Sequence, residues 1–137
     1  MADSVSKVSY FSMAISSKAG EGVKVLSVLA DGGVNLLAFT GFPRGQRAQV
    51  DFIPADAKKF VSVAKKAGWA VNPKKTGFLI QGEDRTGALL DGLQKLADAG
   101  IKVTAMDAVV SGDGRYGALL WVKPEDVAKT AKLLGAK

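Results

Sequence analysis

The 137-residue chain contains no cysteine and no histidine. Without cysteine there is no disulfide, no thiolate nucleophile and no thiolate metal ligand. Without histidine the commonest general base and the commonest metal ligand are missing as well. Carboxylate or lysine chemistry stays open, but triads and most transition-metal centres are excluded. Aromatic residues make up only 7% of the chain. No apolar run approaches the roughly 20 residues that cross a bilayer as a helix. The start, Met1 to Lys7, is polar and lacks a secretory apolar stretch. The expectation is a cytoplasmic protein with no membrane span, no metal site and no cofactor.

What is present is a globular composition, 47% hydrophobic, with a formal net charge of +6. The length suits one ordinary domain or two very small ones. Much of the positive excess is lysine, as in Lys58–Lys59, Lys65–Lys66, Lys129 and Lys132, with a loop pair at Lys74–Lys75. A basic balance invites a nucleic-acid partner, but on helices these lysines fall away from the apolar stripe and read as a solvated face.

A shift of 67 residues aligns Gly20–Ala38 with Gly87–Ala105. Identities fall at Gly20/Gly87, Leu26/Leu93, Leu29/Leu96, Ala30/Ala97, Asp31/Asp98, Gly33/Gly100 and Ala38/Ala105, seven in nineteen positions. The breaker glycines stay in register, which marks a repeat.

The flanking patterns repeat too. Lys7–Ser16 alternates, with Phe11, Met13 and Ile15 on one face, and predicts a strand. Glu21–Gly32 carries Gly22, Val25, Leu26 and Leu29 at helical spacing, stopped by Gly33. Asn35–Phe42 predicts a strand, Pro43–Gly45 a turn, and Arg47–Ile53 a strand with Ala48, Val50 and Phe52 inward. A helix starts near Pro54 and Asp56 and ends at Gly68, and Trp69–Val71 predicts a short closing strand. The second copy gives a strand at Gly77–Gly82, a helix at Thr86–Ala99, strands at Ile101–Val110 and Tyr116–Val122, and a helix from Pro124 to Gly135. No closing strand is visible after it. The expected fold class is therefore α+β: two tandem ferredoxin-like βαββαβ units, residues 1–74 and 75–137, with antiparallel sheets and helices on one face.

The stretch Asp84-Arg85-Thr86-Gly87-Ala88-Leu89-Leu90, followed by Leu93, Leu96, Ala97, Gly100 and Ile101, resembles the ACT-domain signature. There a short Asp-x-x-Gly loop opens the first helix, which ends in a Gly-Ile-Asn or Gly-Val-Asn step. The first copy keeps the second half of that pattern in Gly33-Val34-Asn35. Its loop, Ser17-Lys18-Ala19-Gly20, has serine where aspartate is expected, and the second copy has Lys102 where asparagine is expected. The chain is most similar to small stand-alone bacterial proteins made of two ACT domains. The resemblance implies a non-enzymatic sensor of amino-acid metabolism whose ligand, an amino acid, sits near the strand-to-helix loop at an interface between units.

Loop chemistry agrees with that role. A helix start offers unpaired N–H groups and the positive dipole end to a carboxylate. Gly20 and Gly87 permit either close ligand approach or merely a tight turn. Asp84 is able to meet an ammonium group or simply to cap the helix. Asn35 offers a donor and an acceptor, or only starts a strand. Lys18 and Arg85 are corresponding cations that attract an anion or stay solvated. The expected ligand-binding set is Ser17, Lys18, Ala19, Gly20, Asn35, Asp84, Arg85, Thr86, Gly87 and Ala88, with no catalytic residue.

A regulatory subunit serving a catalytic partner fits the same residues. RNA-recognition motifs share this topology, but the central strands lack stacking aromatics, and neither first helix carries the arginine an acylphosphatase-like enzyme would need. The missing closing strand leaves Phe78–Ile80 at an edge, which predicts a homodimer. The alternative is that residues 71–76, or those before Lys7, cover that edge within one chain.

Overall fold

Alternation is realised first in β1, Ser4–Ser16, where Phe11 and Met13 are buried and Ser12 between them is not. Helix α1, Glu21–Asp31, begins after Gly20, whose φ of 91° is left-handed. It ends at Gly33 in the same region, where Val34 N–H reaches back to Leu29 C=O at 2.9 Å. That closure satisfies carbonyls which a β-carbon at Gly33 would make hard to reach. Strands β2, Leu36–Arg44, and β3, Arg47–Pro54, form a hairpin. Helix α2, Ala57–Lys66, is capped by the Asp56 carboxylate, which accepts from Lys59 N–H at 3.1 Å.

The computed structural model describes residues 3–137 and divides into two compact units. Residues 9–75 form the first. Here β3 lies between β1 and β2, antiparallel to both, with Phe11 opposite Phe52. Its core joins Phe11, Met13, Val50 and Phe52 from the strands to Val25, Leu29, Phe60 and Ala64 from the helices. Phe60 stacks on Phe11 with centroids 4.7 Å apart and tilts against Phe52 at 5.1 Å. Leu26, expected on the buried stripe, is 41% exposed, because Val25 and Leu29 define the inner face without it. Trp69–Asn72 is not a regular strand, yet Asn72 N–H donates to Ser12 C=O at 2.9 Å, so it runs beside β1 as expected.

The second unit is built from β4, Lys75–Glu83; α3, Leu90–Asp98; β5, Val103–Gly112; β6, Arg115–Val122; and α4, Val127–Leu134, preceded by a 3-10 turn at Pro124–Asp126. Strand β6 lies between β4 and β5, antiparallel to both. Phe78, Leu96, Ile101, Leu120 and Val122 form its main core. Gly100 repeats the closure of Gly33, with φ 71° and Ile101 N–H on Leu96 C=O at 2.9 Å.

Two expectations are corrected here. Helix α3 starts at Leu90, not Thr86, because Gly87 at φ 73° interrupts any helix there and residues 86–89 form turns. The edge of β4 is not left open. Residues 3–8, assigned above to the first copy, belong to the compact unit of residues 76–137, where β1 is hydrogen-bonded beside β4. Val5 and Lys7 in turn exchange backbone bonds with Lys137, at 3.0 and 3.1 Å. The edge that motivated a homodimer is thus managed within the chain.

Candidate functional site

The second unit holds a cavity of about 370 Å³ between the 85–89 loop, α3 and the start of β1. Much of its lining is apolar: Val5, Ile80, Leu89, Leu93, Met106 and Leu120. Charged and polar side chains line it as well: Asp3, Arg85, Asp91, Lys95 and Tyr116. The Arg85 guanidinium forms a two-pronged pair with Asp3, Nη1 to Oδ1 at 3.2 Å and Nη2 to Oδ2 at 3.3 Å. The same nitrogens donate to the carbonyls of Glu83, at 3.0 Å, and Ala88, at 3.4 Å. The Tyr116 hydroxyl donates to Asp3 Oδ2 at 2.8 Å. Gly82 leaves room for this cluster: a β-carbon there would overlap Asp3 Oδ1 and stand 2.7 Å from its Cγ.

Each member shifts its neighbours. The hydrogen bond from Arg85 holds the Asp3 carboxyl below its ordinary range, against a smaller opposing effect of burial, and the Tyr116 hydroxyl adds to the lowering. Tyr116 is pushed up to about 12, first by burial and then by its bond to Asp3 and that carboxylate's charge. Asp3 keeps its charge to lower pH in the fold than in the unfolded chain. Its contribution to stability is therefore present above about pH 4 and is lost as the pH falls through the depressed folded value.

A more open groove of about 330 Å³ borders the same loop, lined by Asp84, Gly87, Leu90, Val109, Val110 and Tyr116. Arg85, Ala88, Leu89 and Tyr116 line both spaces. The expected residues Asp84, Arg85, Gly87 and Ala88 are thus brought together. Thr86, exposed in the same loop, lines neither space. Asp84 does not cap α3, which begins six residues later with no side-chain cap.

The first loop is different. Ser17, Lys18, Ala19 and Gly20 are exposed, and Ser17 Oγ donates to Gln46 C=O at 3.2 Å. A groove of about 410 Å³ in that unit is lined by the flanking Ser16 and Glu21, together with Arg47 and Trp69, but by none of the four. Asn35 lies at the far end of the 11-residue α1, roughly 16 Å along the helix axis, so within this unit it cannot share a ligand with Ser17–Gly20. Its carbonyl accepts from Ala55 N–H at 2.9 Å. Asp3, Gly82 and Tyr116 were not among the expected residues. The one sequence signal for them was a glycine inside an otherwise apolar strand, which often marks a close approach.

No family model matches the chain, and no curated protein matches it in sequence. Solved structures do match in shape. Protein BT0572 from Bacteroides thetaiotaomicron superposes with a TM-score of 0.82 over 96% of this chain and 88% of that one, at 21% identity. The ligand-free regulatory subunit of aspartate kinase from Thermus thermophilus superposes at 0.64, over 97% and 94%, at 14% identity. The chain has the fold of that regulatory subunit. An aspartate kinase from Clostridium acetobutylicum matches at 0.56 and 17% identity over 95% of this chain, which spans 33% of the kinase. The ACT-like α+β fold implied by the Asp84–Gly87 loop is thereby supported. Among the described residues, no helix is long and apolar enough to cross a membrane.

Proposed function

We propose that the chain is a tandem pair of ACT-type units that binds an amino acid at the 84–88 loop and serves a regulatory rather than catalytic role. The observation that carries the reading is the junction of Arg85, Asp3 and the Tyr116 hydroxyl with an apolar cavity at that loop. A guanidinium fork and a hydroxyl donor beside an apolar wall suit the carboxylate of a small amino acid with an apolar side chain. The tandem reading draws support from left-handed glycines that recur 67 residues apart, Gly20 with Gly87 and Gly33 with Gly100, then Gly45 with Gly112 and Gly68 with Gly135. The regulatory reading draws support from the aspartate kinase subunits that share the fold.

A thermal-shift screen of the common amino acids tests this. Binding stabilises the native state by mass action, about 2.7 kcal/mol at a hundredfold excess over Kd. Gly87→Val should weaken that response and leave a folded protein, since φ 73° disfavours a β-branched residue in the loop while the space around it is open. No response to any amino acid at saturating concentration would sink the reading.

The proposal includes a homodimer, now on different grounds. Strand β5 stands last in the strand order, and Val109 and Val110 are 68% and 53% exposed beside the 84–90 groove. A second copy pairing along β5 would cover them and close the groove. Light scattering should give about twice the 14.2 kDa of one chain, and Val109→Lys should return the mass to one. A monomer in both cases would instead leave β5 free for a catalytic partner.

A further inference from the structure

We infer that Arg85, Tyr116 and Gly82 form a carboxylate cradle that the chain fills with its own Asp3, and that a small carboxylate with a short apolar tail competes with Asp3 for it. This deepens the amino-acid reading above and rests on it for the class of ligand.

A guanidinium has five N–H groups. Two on Nη1 and two on Nη2 are already committed, one of each to Asp3 and one of each to a backbone carbonyl. The Tyr116 hydroxyl has one proton, and it too is given to Asp3. The backbone bonds aim the guanidinium fork, and the fork faces a carboxylate. An incoming carboxylate therefore has no vacant pair of donors beside Asp3. It gains the two-pronged geometry only by taking Asp3's place.

The seat exists because residue 82 has no side chain; any β-carbon there would overlap the seated carboxylate. A glycine within a strand costs stability, and Gly82 is paired opposite Tyr116 near the end of the β4–β6 ladder. The space it opens is filled by the Asp3 carboxylate, with the Tyr116 ring beside it.

Asp3 has one methylene and reaches no further, whereas the cavity continues for about 370 Å³ among Val5, Ile80, Leu89, Leu93, Met106 and Leu120. That volume falls within the usual span of small-ligand sites. A carboxylate carrying a branched four- or five-carbon tail would match the charge that Asp3 supplies and bury apolar surface that Asp3 cannot. Asp3 is also free to leave. It precedes β1, which starts at Ser4, and the strand behind it stays tied through Val5, Lys7 and Lys137. Swinging the side chain out breaks no ladder bond.

Competition has a measurable consequence. If Asp3 is seated for more than about nine-tenths of the time, the apparent affinity for a competitor is lowered by about tenfold or more, and removing Asp3 restores it. The test is calorimetry on the full chain with isocaproate, L-leucine and isoamylamine, which separate the carboxylate from the ammonium. Asp3→Asn should bind isocaproate and L-leucine about tenfold more tightly than the parent. Gly82→Ala should weaken binding of both, because its β-carbon fills the seat for any carboxylate. In both variants the Tyr116 phenol should titrate below its parent value of about 12, a sign that Asp3 has left. Arg85→Gln should abolish binding in every background, and isoamylamine should bind none. Equal affinity in the parent and Asp3→Asn overturns the proposal. So does weaker leucine binding in Asp3→Asn, which would make Asp3 an ammonium partner. If amino acids bind the parent and neither Asp3→Asn nor Arg85→Gln changes that, the cradle fails, and amino-acid sensing stands with its site moved away from Arg85. If isocaproate binds Asp3→Asn and no amino acid binds any variant, the reverse holds.

Discussion

Phe60→Ala should cost about 3–5 kcal/mol of folding stability, the usual range for removing a fully buried phenylalanine. Phe60 is 0% exposed on the inner face of α2. It touches three other rings: stacked on Phe11, tilted against Phe52, and 6.5 Å from Trp69. Those rings come from β1, β3 and the segment after α2, so one truncation loosens every layer of that unit at once. Neighbouring Phe and Trp side chains are too stiff to collapse into the gap, which places the loss toward the upper end. Folded domains hold only about 5–15 kcal/mol in total, so the unit of residues 9–75 should be substantially unfolded in mild urea. Chemical denaturation followed by tryptophan emission would show it through Trp69. A loss below about 1 kcal/mol would mean that the aromatic cluster is not the centre of this unit's core.

That core was legible in the sequence. Phe11, Met13, Val50 and Phe52 alternate with polar residues, and strand periodicity alone places them inward. The glycines that end α1 and α3 were legible as well, since each stops an apolar helical pattern. The start of α3 was not. Thr86 to Leu89 looks helical by composition, and only the left-handed Gly87 delays the helix. The role of the amino-terminal residues was also hidden. Asp3-Ser4-Val5-Ser6-Lys7 has a single apolar residue and no alternation with a second one. Its pairing with β4 comes from tertiary context, which overrides weak local preference. The Asp84–Gly87 loop was found through its resemblance, whereas Asp3 and Tyr116, 113 positions apart in sequence, meet only in the fold. Local patterns report local geometry, and a site assembled across such a distance leaves almost no trace in them.

Removing the residues before Ser9 should unfold the unit of residues 76–137. Strand β4 is paired with β6 on one side through Phe78 to Glu83. On its other side it depends on β1. The deletion strips that neighbour and both backbone bonds that tie Lys137 to Val5 and Lys7. It also removes the Asp3 carboxylate from Arg85 and Tyr116, and takes Val5 out of the two apolar clusters it joins. Burial of one valine is worth roughly 1.5–3 kcal/mol, and each net hydrogen bond about 1 kcal/mol. With several ladder bonds lost together, the sum exceeds about 5 kcal/mol, comparable to the whole stability of a small unit. Phe78 and Ile80, buried in the intact protein, would then sit on an open edge ready to pair with other chains. Hydrogen exchange should show fast exchange at Phe78, Leu79 and Ile80, while amides of Phe52 and Val50 keep their protection. Gel filtration should show association that grows with concentration. Retained protection along β4 in the truncated chain would show that β6 and the helices suffice, and that the amino-terminal strand is not the missing fourth strand of this unit.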